Sequence, residues 1–256
     1  MWFAVRGNLV ANYSNLNLRH PKGDYTDLKL GPLHVKSLVP NLSRAVSAKH
    51  GDANCKVTFT AFQKKPIVLR PKKGDGYFSE ISSDGHYESI GTVSGTIKVG
   101  GEVIPINGFG YDDRSWGIRK WDNMHYRILG ACFGPDLYMC VYHVATHTGA
   151  SDFGWVFDGG EFHELRSVDF EMHVNQDGLT ARGGKVRVWT EDGRGYAVNV
   201  SCDGNSVINQ RDNFMASPAL SVCEMGGRLG VGLLEFAELK RPTPALIEKY
   251  GLDIAD

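Results

Sequence analysis

Neither sign of charge predominates in this chain: 28 Lys and Arg stand against 29 Asp and Glu, a formal net charge of −1. A balanced sequence offers no broad positive field to phosphate backbones or anionic lipid, so no nucleic acid partner is expected. No run approaches the about 20 apolar residues of a membrane helix, so no membrane insertion is expected. Met1 to Asn12 lacks the basic start, long apolar stretch and small-residue cleavage site of a secretory leader, which makes a cytoplasmic location the expectation.

Paired cysteines are missing too. Cys55, Cys132, Cys140, Cys202 and Cys223 are odd in number, widely spaced and without a CxxC motif, so they read as reduced, buried small hydrophobes. The phosphate-cradling patterns GxGxxG and Walker Gly-Lys-Ser/Thr are absent, as is the GxSxG elbow. Nucleotide-dependent chemistry and elbow-type hydrolysis are therefore not expected, and no cofactor is predicted.

What the chain has is glycine, 31 residues of it, and alternation. Val57, Phe59 and Ala61 oppose Thr58 and Thr60; Val168, Phe170, Met172 and Val174 oppose Asp169, Glu171 and His173. This period of two is that of half-buried strands. Gly100-Gly101 between Val93–Val99 and Val103–Ile106 predicts a hairpin. Asp84-Gly85, Asp158-Gly159, Asp177-Gly178, Asp192-Gly193 and Asp203-Gly204 place turn formers at further intervals. The expected fold is an all-β meander closing into a barrel or sandwich. Pro66 to Gly76 reads as an exposed loop, and Thr243-Pro244 followed by Ala245–Tyr250 and Gly251 as one short terminal helix.

Residues 108 to 126 are the least ordinary stretch, with charges set among tryptophans and tyrosines. If the chain is extended there, Tyr111, Asp113 and Ser115 share one face and Asp112, Arg114 and Trp116 the other. A carboxyl facing an apolar cavity resists ionisation and can act as a general acid, with Tyr111 relaying its proton. The competing arrangement is an ion pair with Arg114 or Arg119 and a purely structural role. His86 and Glu88, two apart at the start of the preceding strand, can face the same side as acid/base auxiliaries, or be solvated turn residues. Trp116, Arg114, Arg119, Trp121, His125 and Tyr126 are the candidate substrate-binding residues. His143 and His147 have HxxxH spacing, but Val144 stands where a zinc protease has Glu, and no metal site is predicted.

Tyr111-x-Asp113-x-x-Trp116-Gly117 resembles the Tyr-x-Asp-His-x-Trp-Gly segment of carotenoid 1,2-hydratases. Asp113-Arg114-x-Trp116-Gly117 is similar to the Asp-Arg-x-Trp segment of the related AttH-like proteins. Gly108 to Trp121 looks closest to a bacterial branch of that superfamily whose signature runs approximately Gly-x-x-Arg-Asp-His-Ser-Trp-Gly-x-Arg-x-Trp. The likeness extends to Gly31–Val35, Val57–Ala61, Gly91–Gly101 and Gly230–Glu235. Two positions depart from it: Asp112 stands where Arg is usual, and Arg114 where hydratases have His.

The resemblance implies two consecutive lipocalin-like barrels, the first shortened at its start, acting on isoprenoid, steroid or polyketide-like molecules by hydration, isomerisation or cyclisation. It implies Asp113 as proton donor and Tyr111 as its partner. The expected division is residues 1–107 and 108–240 for the two β domains, with 241–256 as helix and tail. The expected partner is a hydrophobic small molecule, either transformed without a cofactor or simply carried, with self-association into a homo-oligomer left open.

Overall fold

The structure is a computed structural model that describes residues 2–5, 8–12, 26–65, 67–69, 85–116, 125–146, 149–205, 208–211 and 214–239. Every regular element in it is a β-strand, as the alternation predicts. No helix among the described residues is long and apolar enough to cross a membrane. The predicted terminal helix lies outside the described residues. The chain divides into two compact units, residues 1–68 with 87–113 and residues 69–86 with 114–256.

The first unit begins with a hairpin of β1 (Trp2–Val5) and β2 (Asn8–Asn12). Its main sheet is built from β3 (Asp27–Leu30), β4 (Leu33–Val39), β5 (Ser43–His50), β6 (Ala53–Ala61), β7 (Ile67–Leu69), β8 (Gly85–Val99) and β9 (Glu102–Trp116). The strand order is β3-β4-β5-β6-β8-β7, with β9 also pairing to β8. Ile67–Leu69 is therefore a short strand inside the stretch expected to be loop, since three consecutive apolar residues can satisfy their backbone on β8. Gly100 and Gly101 turn the chain between β8 and β9 at φ 57° and 87°, which glycine adopts without a Cβ penalty. The division expected at 107/108 falls within β9, which runs unbroken through Gly108.

The second unit holds β10 (His125–Gly134), β11 (Leu137–Thr146), β12 (Gly149–Asp158), β13 (Glu161–Val174), β14 (Ala181–Thr190), β15 (Gly195–Asn205), β16 (Ile208–Arg211), β17 (Phe214–Met225) and β18 (Arg228–Leu239). Consecutive antiparallel pairing runs from β10 to β15, β15 then pairs with β17, β17 with β18, and β18 returns to β10. That circuit is a closed eight-stranded barrel, with β16 attached to β17. Closure leaves the ring without an edge.

Alternation fills the barrel. Leu129 and Ala131 of β10, Met139 and Val141 of β11, Val156 of β12, Val186 and Val188 of β14 and Leu234 of β18 all belong to one buried cluster. Each large aliphatic side chain buried there stabilises the fold by about 1.5–3 kcal/mol relative to exposure. Val168, Phe170 and Met172 of β13 face the same interior, while Asp169 and Glu171 turn outward to Arg187 at 2.7 and 2.9 Å. Asp158-Gly159 and Asp192-Gly193 form turns as expected, whereas Asp203-Gly204 lies inside β15 at an irregularity in its pairing with β17. Asp203 is absorbed there as an extra residue within the strand, a placement that the dipeptide alone does not distinguish from a turn.

Candidate functional site

Two places in the fold gather chemistry, one in each unit. In the first unit, Glu88 of β8 is fully buried, and the Tyr111 hydroxyl of β9 donates a 2.7 Å hydrogen bond to its Oε1. The Gln63 amide reaches the Glu88 carbonyl at 3.4 Å. Ligand-type oxygens of Glu88 and Asp113 lie within 4.8 Å of each other, and Asp113 itself is exposed. Burial of Glu88 works against its anion and the phenol donor works for it. His86 stands two residues before Glu88 on the same strand, and alternation gives the two side chains one face. His86 is buried. Imidazole and carboxylate are also donor types that a divalent cation accepts.

An ion pair forms at the neighbouring position of β9. Arg44 of β5 meets Asp112 at 2.6 Å, with side chains only 10% and 12% exposed. Burial pushes the Asp112 carboxyl above its usual range, opposed by Arg44 and reinforced by Asp113. Tyr87, beside them on β8, donates from its hydroxyl to Asn41 at 3.0 Å, and burial raises its phenol in turn. Arg44 therefore braces the hairpin from β5, and Asp112 supplies the counter-charge on the strand that also carries Tyr111 and Asp113.

In the second unit, a cavity of about 480 Å³ is lined by His125, Tyr126, Arg127, His143, Ala145, Val168, Asp169 and Phe170. His125 and Arg127 continue the inward-facing positions of Leu129 and Ala131; His143 and Ala145 continue those of Met139 and Val141. The cavity thus occupies the barrel end where β10 starts and β11 finishes, above the apolar filling. His125 Nδ1 bonds Glu238 Oε2 at 2.7 Å, and Glu238 Oε1 accepts from Arg127. His143 Nδ1 bonds Asp152 Oδ1 at 2.7 Å, and Asp152 Oδ2 accepts the Val168 amide at 3.0 Å. His143 and Asp152 are direct cross-strand partners in the β11–β12 ladder. Arg127 also donates to the Tyr126 and Ala237 carbonyls and stands over the Phe236 ring at 5.3 Å. The Tyr126 hydroxyl, on the other strand face, donates to Glu235 at 2.5 Å.

Residues 1–240 match the family described as "Domain of unknown function (DUF7064)". The chain belongs to this family. None of the curated proteins matches it. The DUF7064 chain is similar in structure to a protein of Nitrosomonas europaea provisionally assigned as AttH, with a TM-score of 0.61 and 16% identity over 84% of this chain and 70% of that one. At that identity the likeness is one of fold, and it supports the AttH-like, two-part β architecture.

Of the residues singled out from the DUF7064 sequence, Tyr111, Glu88 and Asp113 come together in the first unit, with His86 on the same strand. His125 lines the barrel cavity, as does Tyr126. Arg114 is half-buried on β9, which ends at Trp116. Arg119 and Trp121 lie outside the described residues, as does His147. Sequence reasoning did not single out Arg44, Arg127 or Glu238, and it did not place Asp152 opposite His143. For Arg127 a signal was present, because the alternation His125-x-Arg127-x-Leu129-x-Ala131 puts it on the core-facing side of a strand. The other three are set by cross-strand register, which a single sequence does not encode visibly.

Proposed function

We propose that the protein binds a hydrophobic small molecule of the isoprenoid, steroid or polyketide kind, taken up at the open end of the C-terminal barrel. The observation that carries this reading is the cavity of about 480 Å³ above an apolar barrel interior. Small-molecule sites are concave, mostly apolar and equipped with a few polar groups, and barrel mouths are among their preferred places. Ala145, Val168 and Phe170 supply apolar wall, and the His125 and His143 rings supply the polar groups. Native mass spectrometry of purified protein tests it: an apolar compound should co-purify, and Ala145→Trp, which fills the cavity, should abolish its retention while leaving the far-UV circular dichroism unchanged. Equal retention by the variant would contradict this placement.

A second reading is cofactor-independent acid/base catalysis, favoured by the fully buried Glu88 carboxyl under the Tyr111 hydroxyl. Here the proton donor to a carbon–carbon double bond is Glu88, with Tyr111 positioning it and the exposed Asp113 as the adjoining carboxylate. The resulting carbocation is captured by water in hydration, or loses a proton elsewhere in isomerisation. Incubating the co-purified compound with the protein and following it by chromatography separates the readings: turnover lost in Glu88→Gln supports catalysis, and an unaltered compound with wild-type protein supports carriage.

A further inference from the structure

The barrel mouth contains two histidines treated alike by the fold. Each has its Nδ1 held at 2.7 Å by a carboxylate, Glu238 for His125 and Asp152 for His143. Each of those carboxylates is also an acceptor for a second donor, Arg127 and the Val168 amide respectively. An ionised carboxylate only accepts, so the proton of each Nδ1···O bond belongs to the ring, and Nε2 remains as the imidazole atom for other partners. Both rings line the cavity, with side chains 42% and 40% exposed. Carboxylate-held imidazoles of this kind have a fixed ring orientation, as in ligand-binding and catalytic histidines generally.

The cationic group of the mouth is already committed. Arg127 donates to the Tyr126 and Ala237 carbonyls at 2.9 and 3.4 Å and is paired with Glu238. The carboxylates are committed as well, Glu238 to Arg127 and His125, Asp152 to His143 and the Val168 amide. Asp169 also borders the cavity, with its own carboxylate paired to Arg187. A charged ligand end of either sign entering here would lose hydration without gaining an unpaired counter-charge, which is costly. A hydroxyl fits instead: it donates to a neutral Nε2 and accepts from a protonated one.

From this geometry we infer that the mouth of the C-terminal barrel selects apolar molecules ending in a hydroxyl group, which Nε2 of His125 or of His143 recognises while Ala145, Val168 and Phe170 receive the adjoining hydrocarbon. This rests on the binding function proposed above and specifies its ligand class. Glu238 and Asp152 are positioning residues that fix the two rings.

The test compares three ligands of one isoprenoid skeleton, farnesol, farnesoate and farnesylamine, as competitors of the neutral fluorophore N-phenyl-1-naphthylamine at pH 8. The expected result is farnesol displacing the fluorophore at least tenfold more effectively than either charged analogue. In the His125→Phe/His143→Phe double variant the preference should disappear while the fluorophore still binds. Should farnesoate or farnesylamine match or exceed farnesol in the wild-type protein, or the double variant keep the preference, the hydroxyl assignment is overturned with apolar binding intact. Failure of the fluorophore and all three ligands to bind would overturn the binding function itself.

Discussion

Arg44 and Asp112 meet at 2.6 Å while both are nearly buried, and the contact ties β5 to the strand that carries Tyr111 and Asp113. The acidic Asp112 of β9 is thus matched in this fold by a basic residue from β5. Burial of such a pair costs desolvation, and its removal one partner at a time is harsher than its replacement by apolar groups.

Arg44→Met should therefore destabilise the protein by about 3 kcal/mol, because Asp112 loses its cation. The Arg44→Met/Asp112→Leu double variant should lie closer to wild type. The sign with pH follows from the raised carboxyl: burial favours neutral Asp112 in the folded state, so its ionisation works against folding as pH rises from the unfolded carboxylate range through the raised folded value. Loss of Arg44 enlarges that effect, so the single variant should be less impaired at pH 4 than at pH 7. Urea midpoints at the two pH values measure it, and an equal deficit at both would contradict the assignment.

Tyr111→Phe removes the hydroxyl that donates to buried Glu88 Oε1 at 2.7 Å. The expected loss is about 1–3 kcal/mol, the usual consequence of leaving a buried acceptor short of a donor. Glu88→Gln in the Tyr111→Phe background should add less than it does alone, since the two groups act on each other. A double-mutant cycle by chemical denaturation reads the coupling directly; additive effects would mean that the bond contributes nothing.

Burial raises the Cys132 thiol to about 11 and the Cys223 thiol to about 12. Thiolate is the reactive form, so both should resist a disulfide reagent in the folded protein at pH 8. All five cysteines are free, and unfolding in guanidinium should expose all five to rapid reaction. Rapid native labelling of Cys223, which has no exposed surface, would show the barrel to be open where this structure has it packed.

Gly154 of β12 has φ +138°, and a Cβ there would stand 2.2 Å from the Cys140 carbonyl oxygen on β11. Neither backbone can yield without loosening the ladder that places Asp152 opposite His143. Gly154→Ala should cost about 1–3 kcal/mol and lower the thermal midpoint. An unchanged midpoint in differential scanning calorimetry would argue against the close approach.

The strands were legible because burial on one face writes itself as alternation: Val168, Phe170 and Met172 face the core and Asp169 and Glu171 face Arg187. The Gly100-Gly101 turn was legible because few residues tolerate its dihedrals. Asp203-Gly204 misled because an extra residue inside a strand and a turn between strands can carry the same dipeptide. Proximity of Glu88, Tyr111 and Asp113 could be anticipated from the hairpin, whose two strands must run side by side. Which carboxyl is buried could not be, since Glu88 and Asp113 are chemically alike and only the surrounding sheet makes the first interior and the second exposed. The Asp152–His143 and Glu238–His125 pairs depend on register between strands far apart in sequence, or on ring closure, and leave no local pattern.

The most direct measurement is a crystal structure of the protein with farnesol bound. Hydrocarbon density against Ala145, Val168 and Phe170, with the hydroxyl oxygen within hydrogen-bonding distance of Nε2 on His125 or His143, is the predicted result. Ligand density confined elsewhere, with the barrel mouth holding only solvent, would contradict it.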